Sequence, residues 1–400
     1  MAAGIGANLS GKKVLLVVDA EFLHDARLRK QALTLVKSGC RVWALHNTKL
    51  KDKREKWHGI YLVGVPIKQF FVSCRVLQRL LDFMVFPIWA WLEFLWLHAT
   101  KRFDLVIVAN PPDHLLVLFN LTCKVLHTPI INDFHDPFPE MLAMHFPLPG
   151  FYGLGAVLER SALYTSDAAM TVNNACLQRM RIRHGKRAEN IKVFYNAPLQ
   201  SSFNPRQDKV KEIKKKMGAD VLVVYIGALN YPFAVDHLVI AVSELRSLFE
   251  KKNAKLLVVG KGAMGEKLKR MVSNQRLCEL VHLEGFVRPE DVPSYYEAAD
   301  IVVVPMHNAP LTLIATPNKI FEAMLARKPI ITVDKPGIRE VASKGIVYYD
   351  AGDVKALADK LAYAITNLHK LELPVVPFTW ESQETSFLRF VEYAMHNATR

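Results

Sequence analysis

In the stretch Thr316-Pro317-Asn318-Lys319-Ile320-Phe321-Glu322, a residue type suited to phosphate stands one helical turn from one suited to paired hydroxyls. Pro317 can start a helix, because its missing N–H would have no intrahelical partner there. Asn318 and Lys319 then lie in a first turn whose unpaired amides attract anions, and Lys319 adds a direct charge. Glu322 falls about one turn in. A carboxylate there accepts hydrogen bonds from neighbouring hydroxyls, such as those of a ribose, and is favoured by the positive end of the helix. Pro336-Gly337 predicts a further turn whose backbone amides reach the same ligand. The same local pattern also fits an amphipathic helix with Lys319 and Glu322 in solvent.

Two clusters in the first half have similar potential. Asn132-Asp133-Phe134-His135-Asp136 follows an apolar strand, where chain ends commonly build sites. His135 is suited to hydrogen-bond a sugar or handle a proton, with Asp133 and Asp136 orienting it or a hydroxyl. A packed turn accounts for these residues equally well. Asp19 to Arg29 joins the first strand to the first helix, and His24, Asp25 and Arg29 are its polar members. Ordinary surface positions are the local alternative.

These residues need strands and helices to hold them. Lys13–Val18 predicts a strand, 26–35 a helix and 41–45 a second strand, the βαβ signal of a parallel sheet. The order repeats at 105–109, 114–125 and 129–132. A second series has strands at 221–226, 255–259, 281–283, 301–304 and 329–333, with helices at 235–249, 264–271 and 319–326. The lysine-rich stretch 204–220 between the two series reads as a solvated linker. The fold class is therefore α/β, with 1–200 and 201–375 as domains and 376–400 as a helix returning toward the first. Open parallel sheets expose ligand-binding loops at their strand ends, so the two domains are expected to face one another across a cleft.

A chain of 400 residues with 51% apolar content has enough material for two cores. Lys and Arg total 52 against 38 for Asp and Glu, an excess that attracts nucleotide phosphates, anionic lipid or nucleic acid. Basic residues at 206–216 lack an aromatic reading surface, and nucleic acid is not favoured. The five cysteines form no ligand cluster and read as buried thiols in a reducing compartment. No secretion signal is apparent, which places the chain in the cytoplasm.

Leu80 to His98 is the most unusual segment, carrying Trp89, Trp91, Trp96, Phe83, Phe86 and Phe94, interrupted by Asp82, Pro87 and Glu93. Those interruptions disfavour a membrane span. Lys68, Arg75 and Arg79 precede it and Lys101 and Arg102 follow, so attachment of 68–102 to an anionic membrane surface is expected. A core or subunit-contact helix is the alternative.

Further motifs are Tyr225-Ile226-Gly227, Leu257-Val258-Val259-Gly260-Lys261-Gly262, Glu284-Gly285-Phe286-Val287, Tyr295-Tyr296-Glu297-Ala298-Ala299-Asp300, Pro305 and the 317–340 block. In this order and spacing they resemble the retaining glycosyltransferases with two Rossmann-like domains, family 4-like and of GT-B fold. That family includes the bacterial mannosyl-, glucosyl- and N-acetylglucosaminyltransferases of cell-envelope glycan synthesis. The resemblance covers nearly the whole chain and implies a nucleotide-sugar donor, UDP-linked in preference to GDP-linked, held by the C-terminal domain. It implies that 287–292 approach the base, that Gly227, Asn318, Lys319, Glu322 and Gly337 surround the nucleotide, and that Lys319 acts on the leaving phosphate. It places His135 at the reacting sugar and His24, Asp25, Arg29, Asp133 and Asp136 at donor or acceptor contacts.

The implied reaction is metal-independent and needs no cofactor. Retention would follow a front-face route, in which the leaving phosphate accepts the attacking hydroxyl's proton. A lipid-linked or envelope-glycan acceptor fits, as does a cytoplasmic enzyme peripheral at the inner membrane face; homo-oligomerisation stays open. Three positions depart from the family pattern. Ile314 replaces the first of two carboxylates that many relatives carry, Gly227-Ala228-Leu229-Asn230-Tyr231 replaces an arginine and lysine, and the 19–29 loop has no glycine. A sugar-nucleotide epimerase and a non-catalytic envelope scaffold are the competing functions.

Overall fold

The computed structural model describes residues 7–48, 54–66, 75–146, 148–188, 190–341 and 344–397. Two compact units result, one of Met1–Asn196 with Trp380–Arg400 and one of Ala197–Thr379. Lys68 and Cys74 lie outside the described residues.

Unit 1 opens with β1 (Lys13–Val18), α1 (Ala26–Lys37), β2 (Arg41–Thr48), β3 (Arg54–Trp57) and β4 (Ile60–Pro66). It continues through α2 (Arg75–Lys101), β5 (Leu105–Ala109), α3 (Asp113–Val125), β6 (Ile130–Phe134), α4 (Phe138–His145) and α5 (Phe151–Thr165). After these come β7 (Ala168–Thr171), α6 (Asn174–His184) and β8 (Lys192–Val193). The strands form one sheet in the order β3-β4-β2-β1-β5-β6-β7-β8, parallel except for the antiparallel β3 edge. Successive strands run outward from β1 on one side and from β5 on the other, so the chain reverses between β1 and β5. Ligands of open α/β sheets bind beyond the strand C-termini at such a reversal.

Unit 2 contains α7 (Gln207–Met217), β9 (Val221–Ile226), α8 (Val235–Glu244), α9 (Arg246–Lys251), β10 (Ala254–Val259), α10 (Gly265–Asn274) and β11 (Val281–Gly285). It then runs through α11 (Val292–Ala298), β12 (Ile301–Val304), α12 (Asn318–Leu325), β13 (Ile330–Val333), α13 (Pro336–Arg339), β14 (Ile346–Tyr349) and α14 (Val354–Thr366). The sheet order β11-β10-β9-β12-β13-β14 is wholly parallel and reverses between β9 and β12. Every residue of β9 and β12 is buried, as their unbroken apolar runs require when helices cover both faces.

The final helix α15 (Trp380–Asn397) packs in unit 1, where Trp380 Nε1 donates to Thr34 Oγ1 at 2.9 Å. The stretch read as a linker is instead the helix α7. Its lysines face solvent while Val210, Ile213 and Met217, at helical spacing, are buried. The thiol expectation is corrected at one position: Cys278 is exposed, whereas Cys40, Cys123 and Cys176 are buried.

Helix α2 contains a stretch, 83–101, long and apolar enough to cross a membrane by length and composition. Its faces differ, however. Phe86, Ala90, Phe94 and Leu97 sink into the unit 1 core, and Trp91 packs against that core while donating to Thr122 Oγ1 at 2.8 Å. Met84, Ile88, Trp89, Leu92 and Trp96 are exposed along the opposite stripe. Trp91, Phe86 and Phe94 therefore leave the expected membrane surface, because the 3.6-residue period turns them inward.

Candidate active site

At the chain reversal of unit 2, β9 is followed by Gly227, whose φ is 146°. A Cβ there would lie 1.9 Å from Lys319 Cε, so only glycine leaves space for the lysine stem. Lys319, in the first turn of α12, is buried beneath this backbone. Its Nζ sits 3.1 Å from the Phe233 ring centroid and 3.4 Å from Tyr225 Oη, which itself donates to the Ala228 carbonyl at 2.7 Å. Burial drives the ammonium's pKa down to about 7, with Glu322 pulling it partly back. A cation stored in this way regains its charge when an anion arrives.

Glu322 is held by Tyr296, whose hydroxyl donates to Oε2 at 2.9 Å. Burial and the Glu322 carboxylate keep that phenol protonated, so it remains a donor. Asn318 begins α12 and is half-buried. Pro336-Gly337 departs from the expected turn: it is the first turn of α13, with Gly337 pressed against the loop that enters α12. A Cβ on Gly337 would lie 2.5 Å from the Ile314 carbonyl oxygen, and Thr316 Oγ1 donates to the Gly337 carbonyl at 2.6 Å. Close approach of two backbones therefore explains this glycine. Within 287–292, Arg288 pairs with Asp291 at 3.2 Å, and the adjacent Phe286 is exposed with Lys261 Nζ 4.5 Å from its ring centroid.

The reversal of unit 1 gathers a second set. Asp133 ends up inside β6 and His135 just beyond it, rather than both in a loop. Both are buried, His135 Nε2 lies 2.5 Å from Asp133 Oδ2, and Gln31 Nε2 donates to the same oxygen at 2.7 Å. His135 Nδ1 is buried with no hydrogen-bond partner among the described residues. The loop is organised by Asn110, whose Oδ1 accepts from His135 N and Asp136 N and whose Nδ2 donates to the Asp136 carbonyl at 2.9 Å.

Asp25 caps α1 by accepting from the Arg27 and Leu28 amides. Burial would raise its pKa, but Arg27, His135 and the two amides together hold it below the ordinary carboxylate value. Arg29 is half-buried on α1. His24 points into solvent, 3.2 Å from Glu21. Asp25 feels the charge of His135, and its local work is helix capping.

Asn110 and Phe233, which the sequence motifs do not include, join these clusters, as do Asp19, Tyr225 and Tyr296, which the motifs include without a site role. Asp19, immediately after β1, is raised to about 6 by burial, against a hydrogen bond from Asn47. Its position at a strand C-terminus on the reversal was the available signal.

Residues 220–367 match the family model described as glycosyl transferases group 1. This part of the chain is similar to that family. An uncharacterized glycosyltransferase from Methanocaldococcus jannaschii is 24% identical over 189 residues, 46% of each chain. The amylovoran biosynthesis glycosyltransferase AmsK of Erwinia amylovora is 28% identical over 142 residues, 34% of each. The matched part of the chain thus spans about half the length of the first curated relatives or less. Solved structures match throughout. Sucrose-phosphate synthase of Thermosynechococcus elongatus aligns with a TM-score of 0.71 at 15% identity, covering 96% of this chain and 97% of the other. Anabaena HepE in complex with UDP and glucose gives 0.67 at 17%, covering 97% and 98%. WaaG, a glycosyltransferase involved in lipopolysaccharide biosynthesis, gives 0.63 at 16%, covering 96% and 95%. The two Rossmann-like units therefore make a GT-B type fold.

Proposed function

We propose that this glycosyltransferase moves a sugar from a UDP-linked donor to a lipid-linked or envelope-glycan acceptor, with retention and without a metal in the transfer step. The observation that carries the donor side is the interlock of Gly227 and Lys319 at the β9/β12 reversal, with Glu322 one turn further along α12. The first turn of α12 offers amides to the diphosphate, Lys319 supplies the positive charge, and Glu322, oriented by Tyr296, takes the ribose hydroxyls. UDP is favoured by the UDP-bound structure of HepE.

In the reaction the bond from the anomeric carbon to the phosphate oxygen breaks on the face where the acceptor oxygen bonds. The acceptor proton passes to the leaving phosphate, whose charge Lys319 and the helix amides offset. His135, with a buried and unpartnered Nδ1, is assigned to a substrate hydroxyl. An envelope acceptor draws support from the biosynthetic roles printed for AmsK and WaaG. The exposed stripe Met84, Ile88, Trp89, Leu92 and Trp96, with exposed Lys101 and Arg102 at the end of α2, supports a membrane-surface station on the cytoplasmic side.

The test is direct titration with UDP and GDP, followed by product analysis with a UDP-sugar in the presence and absence of acceptor. Glu322→Ala should weaken UDP binding by about 1.5 to 3 kcal/mol through the lost charge-assisted contact. Unchanged affinity in that variant, or an epimerised donor formed without acceptor, would overturn the reading.

A further inference from the structure

Asp236 and His237 occupy the first turn of α8, and His307 lies in the loop after β12. One ligand atom from each lies within 4.8 Å of the others. We infer that these three side chains form a binding site for a divalent transition-metal ion of the zinc class. Zinc takes imidazole nitrogens and carboxylate oxygens at about 2.0 to 2.2 Å in a tetrahedron, which puts neighbouring ligand atoms roughly 3.3 Å apart. His307 Nε2 and Asp236 Oδ1 are already 3.4 Å apart.

The surrounding groups fit that role. Asp236 Oδ1 is buried and has no hydrogen-bond partner among the described residues, an arrangement that is costly unless a cation or donor is supplied. Its other oxygen, Oδ2, accepts from Lys267 Nζ at 2.8 Å, which fixes the carboxylate with Oδ1 turned toward the histidines. Metal-bound carboxylates are commonly held by such an outer partner. Tyr231 stacks on His307 with ring centroids 4.8 Å apart and planes 12° apart, and His237 meets His307 edge-on at 4.5 Å. The His307 ring is thereby fixed in plane before any ion arrives. Two imidazoles and one carboxylate leave a fourth position for water.

Such an ion would clip the start of α8 to the loop after β12, across the chain reversal. His307 N already donates to the Pro232 carbonyl at 3.2 Å, and the neighbouring Phe233 carries the Lys319 ammonium. The bound ion acts as a brace on the loop that holds Lys319, and it takes no part in the transfer chemistry. The inference stands independently of the donor assignment.

The full chain, freed of metal with chelator and carrying Cys278→Ser to remove an exposed thiol, would be titrated with zinc chloride by calorimetry. Its melting temperature would be followed in parallel. One zinc per chain and a higher melting temperature are expected. His237→Ala and His307→Ala should each weaken zinc binding by about tenfold or more, the loss seen even for outer-shell partners of metal sites. Asp236→Asn, close in shape, should do the same and serves where a histidine variant melts early without metal. Absence of saturable zinc binding by the parent, or unchanged affinity in the folded variants, overturns the proposal.

Discussion

Lys319 should make donor binding take up a proton. With its pKa near 7, the buried ammonium is about half charged at pH 7 and about nine-tenths neutral at pH 8. A diphosphate charge about 4 Å away at an effective dielectric of about 20 attracts it by about 4 kcal/mol, enough to restore nearly three pKa units. The bound lysine is then protonated throughout the neutral range. Uptake should therefore be about half a proton at pH 7 and about 0.9 at pH 8, and the apparent dissociation constant should approach a tenfold rise per pH unit above pH 8. Calorimetric titration of a UDP-sugar in buffers of different ionisation enthalpy measures the uptake directly, and Lys319→Met should abolish it. The free protein gives an independent check. A lysine whose folded pKa is depressed binds fewer protons folded than unfolded between about pH 7 and 10.5, so its contribution to stability rises with pH across that window. No proton uptake at pH 8, or equal uptake in the Lys319→Met variant, would refute the reasoning.

Gly227→Ala should leave the protein folded but less stable by about 1 to 3 kcal/mol, while transfer falls sharply because the lysine stem is displaced; melting and turnover measured together check this. His135→Ala should reduce transfer more than UDP binding, since Nδ1 is assigned to a substrate hydroxyl. Equal turnover in variant and parent would remove His135 from the site. Trp89→Ser combined with Trp96→Ser should lose sedimentation with anionic vesicles and use of a membrane-presented acceptor, while a soluble acceptor analogue is still glycosylated. Unchanged sedimentation would reject that surface.

Strand positions in unit 2 were legible because buried parallel strands are written as unbroken apolar runs rich in β-branched residues, as at 221–226 and 301–304. The Lys319 and Glu322 pair was legible too, since a proline-started helix dictates their spacing. Their contacts were not: Tyr225 on β9, Phe233 in the loop before α8 and Tyr296 on α11 converge only through the order of strands in the sheet. Helix α7 was missed because its lysines outweighed the three buried positions 210, 213 and 217. The inward turn of Trp91 was readable in principle. Phe86, Ala90, Phe94 and Leu97 mark the core face of α2, but an aromatic-rich composition conceals which ring lies on which side. His24 and Asp25 are sequence neighbours with opposite fates, one in solvent and one capping a helix, which a list of polar residues does not separate.

The strand-end glycines Gly227 and Gly260 are adjacent in space yet constrained by different neighbours. A Cβ on Gly227 strikes the far end of a flexible lysine, which can swing aside, so beyond the strain of its φ of 146° the cost of substitution falls on the position of Lys319. A Cβ on Gly260 strikes the Gly227 carbonyl oxygen at 1.8 Å, and a main chain has no alternative rotamer. Substitution at 260 should therefore impair folding whether or not sugar is transferred. In a lineage that has abandoned catalysis, Lys319 and Gly227 should diversify first, and Gly260 should persist as a fossil of the original sheet.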